Sequence, residues 1–153
     1  MALWQYTFLI VPSASVQKIG NNANELVEDG LFDDSVLWMM NKNNLNLFNK
    51  IKSFLPQITS WHKDLTLYGD LESTCIKIMS DANVVLSVVA RIDFRNNYDE
   101  VLFLLIEFIN NNNLLFLDEN FKVVPSDIRA IKKIISSSKQ FFLYEELLRN
   151  QHL

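Results

Sequence analysis

From Val84 to Phe94 every second residue is apolar: Val84, Leu86, Val88, Ala90, Ile92 and Phe94. A period of two over that length fits a β-strand with one side on a hydrophobic core. The other side starts with Val85 and Val89 and becomes Arg91, Asp93 and Arg95. Just upstream, Thr74, Ile76 and Ile78 share a face opposite Cys75, Lys77 and Met79. Cross-strand neighbours must point the same way. Ile78 is therefore expected opposite Leu86 and Ile76 opposite Val88, with Asp81-Ala82-Asn83 as a three-residue loop. A two-residue loop would put Ile76 and Ile78 on the face of Ser87.

The remaining elements follow from similar patterns. Trp4, Tyr6, Phe8 and Ile10 alternate with Gln5 and Thr7, which predicts a first strand. Ser15 to Gly20 fits a short helix, and residues 35–40 show no decisive period. Leu45, Phe48, Ile51 and Leu55 predict an amphipathic helix capped by Asn44 and stopped by Pro56. Asn97-Tyr98-Asp99-Glu100 reads as a capping box ahead of a helix over 99–109 that is apolar nearly all round. Leu114–Leu117 and Phe121–Val124 flank Asp118-Glu119-Asn120 as a second hairpin. Asp127 opens a last helix with Ile128, Ile131, Ile135, Ser138 and Phe142 facing inward, and a kink is expected at Ser136-Ser137-Ser138. The order predicts one α+β domain over 1–153, a mainly antiparallel sheet of about five strands with helices packed on one face.

At 153 residues and 49% hydrophobic content, with eleven Phe, the chain has ample material for a core. A domain of this size buries about 68–70% of its unfolded surface. Cys75 is the one cysteine, so an internal disulfide and a multi-cysteine zinc site are excluded. The net charge of −4 argues against general nucleic-acid binding, which needs clustered Lys and Arg. The apolar start lacks a basic n-region and is interrupted by Pro12, so it reads as a strand and not as a signal peptide. No apolar run reaches the ~18 residues that span a bilayer. A cytosolic protein without cofactor, metal, membrane or nucleic-acid partner is expected.

Each residue group with chemical potential has a plainer alternative. Gly20, Gly30 and Gly69 are too isolated for a phosphate loop. His62 with Asp64 is the sharpest catalytic candidate, because a carboxylate can orient an imidazole as a general base. The plainer reading is a loop in which Trp61 anchors the entry to the sheet and His62 is solvated. Arg91, Asp93 and Arg95 either form a ladder with Lys77, Glu72 or Asp70, or line a face for a small anion. Cys75 reads as a small packed residue in mid-strand. Glu25, Glu28, Asp29, Asp33 and Asp34 place five acids within ten residues, interspersed with Leu26, Val27, Leu31 and Phe32. That segment is either a solvated loop or an acidic surface with Leu31 and Phe32 as anchors for a basic partner.

Trp4-x-Tyr6 with Val11-Pro12, Ser60-Trp61-His62-Lys63-Asp64-Leu65 leading to Gly69, Arg91-Ile92-Asp93-Phe94-Arg95, and a terminal helix with Ser138 and Phe142 together resemble small bacterial α+β proteins of the polymorphic-toxin immunity type. Where such proteins often show Trp-Gly, this chain has Tyr68-Gly69. The resemblance implies a binding role and carries over no catalytic residue. The leading expectation is an immunity protein, not an enzyme, that neutralises a cognate toxin domain by stoichiometric occlusion. One alternative is a small-ligand-binding or enzymatic domain using Arg91, Asp93 and Arg95. Another is a homodimeric module joined through the helix over 99–109.

Overall fold

The computed structural model describes residues 2–19, 27–28 and 31–151. Its main sheet has seven strands, antiparallel throughout: β1 (Gln5–Pro12), β4 (Gln57–Ile58), β5 (Leu65–Gly69), β6 (Cys75–Asp81), β7 (Val84–Asp93), β8 (Leu114–Leu117) and β9 (Val123–Val124). Their spatial order is β4-β5-β6-β7-β1-β8-β9. A two-stranded ribbon, β2 (Val27–Glu28) with β3 (Leu31–Phe32), stands apart. The helices are α1 (Ser13–Ile19), α2 (Ser35–Met40), α3 (Asp99–Asn111), α4 (Ile128–Ser136) and α5 (Lys139–Gln151), with a 3₁₀ helix at Leu45–Ser53. The α+β class holds, but the sheet has seven strands where about five were expected. The extra strands are β4 and β5, too short to register a period in the sequence.

The inner face of the sheet carries the main core. Tyr6, Phe8 and Ile10 meet Ile76, Ile78, Val88, Ala90 and Ile92 there, under Phe48, Ile51, Leu102, Leu105, Ile131 and Ile135 from the overlying helices. The expectation of helices on one face only is not met. Val11 and Leu117, with Leu9 and Leu115 beside them, point the other way and bury against Val16, Leu37, Ile19 and Met40 of α1 and α2. The strands β1 and β8 are apolar on both sides, so both sides need cover. The strand β1 pairs with β7 as far as Ile10 opposite Val88, then runs on beside β8 alone. The helix α2 packs near this divergence, and Trp38 donates its indole N–H to the Ile10 carbonyl at 3.1 Å.

The central hairpin differs from the expected register. Ile78 faces Val88 and Ile76 faces Ala90, a shift of two residues, while Asp81 pairs with Val84. The loop is therefore the two-residue Ala82-Asn83, with φ of 48° and 65°, the left-handed pair that a tight primed turn requires. Met79 pairs with Ser87 and Ser80 with Val85, which leaves Leu86 as an extra residue in a β-bulge. One extra residue inverts the alternation, so the two-residue loop and the apolar face become compatible. Val85, not Leu86, is fully buried. In urea melts Val85→Ala should cost about 1.5–3 kcal/mol, more than Leu86→Ala, despite the smaller side chain. The reverse order would place the bulge elsewhere.

Other local expectations shift by small amounts. Asn44 accepts from the Asn46 amide as the expected cap, but the segment it opens winds as a 3₁₀ helix. Its buried face, Phe48 and Ile51, is the predicted one. Asn97 accepts from the Asp99 amide at 3.0 Å, whereas the cap position of α3 falls on Tyr98, so no capping box forms. Asp127 caps α4 by accepting from the Ala130 amide. The chain breaks between α4 and α5 across the three serines, as expected. Phe142 is exposed, not inward; Phe141 and Tyr144 instead pack on Phe94.

Candidate functional site

The outer face of β5, β6 and β7 is laid out in rows. Leu65, Met79 and Ser87 form one row, Leu67, Lys77 and Val89 the next, and Gly69, Cys75 and Arg91 a third. Above the first row stands the turn Ser60–Asp64. Ser60 Oγ accepts from the His62 amide at 3.1 Å and donates to the His62 carbonyl at 2.7 Å. Trp61 projects from this turn 69% exposed, and Met79 is 42% exposed. Together with His62, Leu65, Lys77, Ser87 and Val89 they bound a concavity of about 370 Å³. A larger open hollow of about 760 Å³ lies between Pro56, Ile58 and the loop 70–74.

His62 and Asp64 are adjacent but not arranged as a catalytic pair. The Asp64 backbone N–H donates to His62 Nδ1 at 3.0 Å, while the carboxylate lies 4.0 Å away. An orienting carboxylate must receive a proton from the imidazole. Here Nδ1 accepts one from the backbone, so the ring completes a turn.

Arg91, Asp93 and Arg95 do not form a shared face. The strand β7 ends at Asp93, and the alternation that would have aligned Arg95 ends with it. Arg95 Nε lies 3.1 Å from Asp93 Oδ1, and Nη2 lies 2.7 Å from Oδ2. Ser73 Oγ and the Arg95 amide also donate to this carboxylate, each at 2.9 Å. Asp93 is only 3% exposed. Burial by itself would raise its pKa, but the hydrogen bonds from Arg95 and Ser73 and the guanidinium charge outweigh it and hold the carboxyl below its ordinary range. The Arg95 guanidinium lies 4.2 Å from the centre of the Trp4 ring and donates to the Glu72 carbonyl. Gln5, also buried, donates to the Ser73 carbonyl at 2.7 Å. This cluster is a clasp that ties loop 70–74 to β1 and β7. Arg91 stands outside it. Cys75 is buried and desolvation pushes its thiol up, against the smaller opposing pull of Arg91 and Lys77, which fits a packed side chain.

Of the acidic segment, Glu25 and Asp29 lie outside the described residues, as do Gly20, Leu26 and Gly30. Glu28 and Leu31 are described by backbone alone, as partners in the ribbon. Asp33 is exposed and accepts from the Ser35 amide at 3.1 Å. Asp34 turns inward, accepting from Ser87 Oγ at 2.7 Å, and burial pushes its pKa up. Phe32 stacks on Phe121, with ring centres 4.5 Å apart and planes 12° from parallel, and packs near Val11 and Leu117. Phe32→Ala should therefore lower stability by roughly 1–3 kcal/mol, measured by urea denaturation, because an intramolecular stack and core contacts are lost. No change in the melt would leave the ring free to serve as an external anchor.

The helix α2 supplies what the sequence pattern did not show. Val36 is 40% and Met39 54% exposed, one turn apart, directly after Asp33. A helix of six residues is too short for its outward side to be read as a period. The helix α3, the expected dimer contact, buries Leu102, Leu105, Ile106, Phe108 and Ile109 within the chain and leaves Phe103 outside.

Among the described residues no cluster of His, Cys, Asp and Glu could hold a metal ion, and no helix is long and apolar enough to cross a membrane. No family model, curated protein or solved structure matches the chain.

Proposed function

We propose that the protein is a stoichiometric inhibitor of the immunity type, binding a cognate bacterial toxin domain in the cytosol and occluding it without chemistry of its own. The observation that carries this reading is the ridge formed by Asp33, Val36 and Met39, an exposed acid followed by two exposed apolar side chains at helical spacing. It continues the acidic run that begins at Glu25. Acids at a rim steer a basic partner, and apolar side chains among them lose water on contact. The anchors are Val36 and Met39, since Phe32 is occupied by Phe121.

Association and release separate the two roles. Asp33→Lys should slow association with a basic toxin domain, and the difference should fade as salt rises. Met39→Ala should instead speed release. The test is co-expression with the toxin encoded by the adjacent reading frame, with binding kinetics on the purified pair. Growth rescue by the wild type and its loss in the Asp33→Lys, Met39→Asp double variant supports the reading. Absence of rescue by the wild type rejects it for that partner.

A further inference from the structure

The concavity on the outer sheet face has a polarity that the inhibitor reading does not use. At one end Leu65, Met79 and Trp61, with Val89 beyond them, give it an apolar surface, beside His62 and Ser87. The cations lie at the other end. Lys77 lines the cavity opposite Val89, and Arg91 follows two residues along β7, diagonal to Lys77 on the same face. Both are half-buried, and among the described residues neither makes an ion pair or a side-chain hydrogen bond. Two unpaired neighbouring cations repel each other, and partial burial sharpens the repulsion. Three carboxylates lie near the face: Asp34 is bonded to Ser87, Asp64 lies beside His62, and Asp70 follows Gly69 in the row of Cys75 and Arg91, yet none of them forms an ion pair with Lys77 or Arg91. The face thus presents an apolar bed with two unpaired cations at one end and carboxylates already engaged by Ser87 and the His62 turn at the other.

From this we infer that the outer face of β5, β6 and β7 is a binding site for a small hydrophobic carboxylate. Its apolar body lies against Trp61, Leu65 and Met79, and its carboxylate lies between Lys77 and Arg91. The volume of about 370 Å³ falls at the low end of the ~300–1,000 Å³ typical of ligand sites. Ser87, already donating to Asp34, contributes no second anionic contact. Charge decides the class of ligand: an anion relieves the Lys77–Arg91 repulsion, whereas a cation would increase it.

Titration of the intact protein with 2-naphthoate, followed by calorimetry and by the backbone amide signals of β6 and β7, tests the site. The uncharged 2-naphthalenemethanol and the cationic 2-naphthylmethylammonium serve as comparisons. Saturable binding of the carboxylate is expected, at least tenfold tighter than either analogue. Lys77→Gln and Arg91→Gln should each weaken it at least threefold, and Trp61→Ala should weaken all three probes together. Unchanged melting curves of these surface variants establish that the loss is local. Equal affinity for the uncharged probe, shifts in amides away from this face, or no saturation at millimolar carboxylate would each overturn the assignment.

Discussion

Gly69→Ala should destabilise the protein by roughly 2–4 kcal/mol, which is large for the addition of one methyl group. Gly69 closes β5 with φ at +91°, a conformation that L side chains rarely adopt. A Cβ there would also meet the Thr74 carbonyl oxygen at 2.3 Å and the Cys75 Cα at 3.1 Å. Both contacts are backbone, so no side-chain rotation relieves them. The Gly69 amide donates to the Pro56 carbonyl at 2.7 Å, and Asp70 closes the next turn onto the Thr74 carbonyl. Relief of the clash would therefore disturb β4 as well as the β5–β6 turn. Urea denaturation measures the loss, and a variant within half a kilocalorie of wild type would mean that the turn has a different backbone.

Asp93→Asn should cost about 2–3 kcal/mol at neutral pH, because it replaces a buried carboxylate that accepts charge-assisted hydrogen bonds from Arg95 and a further one from Ser73. The pH dependence gives a second signature. The Asp93 carboxyl titrates lower in the folded chain than in the unfolded one. Its stabilisation is therefore complete above the unfolded value of about 3.9 and is lost as pH falls through the folded value. Asp34, raised by burial, works in the opposite sense: folding gains as pH falls through its folded value. A comparison of wild type with Asp93→Asn from neutral to acid pH separates the two. The gap between their stabilities should close on the acid side, and a constant gap would show that the charge of Asp93 is not what holds the clasp.

Legibility in the sequence followed the length and one-sidedness of each element. The alternation in β1, in β6 and in β7 from Val88 onward identified the residues that face the core, because one buried side imposes a period of two; before the bulge it chose Val84 and Leu86 where Val85 is buried. The hairpin register escaped the same reasoning. A bulge at Leu86 changes the parity without changing composition, and Val85 is as apolar as its neighbours. Leu65-Thr66-Leu67-Tyr68 is buried on both sides of the sheet and too short to declare itself a strand. The buried side of the 3₁₀ helix was legible, but its winding was not, since Phe48 and Ile51 satisfy either geometry at a spacing of three.

The candidate surfaces were legible to a lesser degree. Charge composition drew attention to Asp33, Asp34, Arg91, Asp93 and Arg95 but not to which of them are used internally. Asp34 is held by Ser87, far along the chain, and Arg95 by Asp93, by the Glu72 carbonyl and by the ring of Trp4. Such partners are set by tertiary contact, which no local pattern encodes. The same holds for Val36 and Met39, whose exposure depends on how α2 packs near the divergence of β1 from β7.

The most direct test of the central claim is a calorimetric titration of the purified protein against the purified product of the adjacent reading frame, the proposed toxin partner. A saturable one-to-one complex is predicted, with affinity weakened at least tenfold by Met39→Asp while the melting temperature of the free variant stays unchanged. Absence of binding by the wild type, or equal affinity in the well-folded variant, would contradict the claim that this protein acts by occlusion through the ridge of α2.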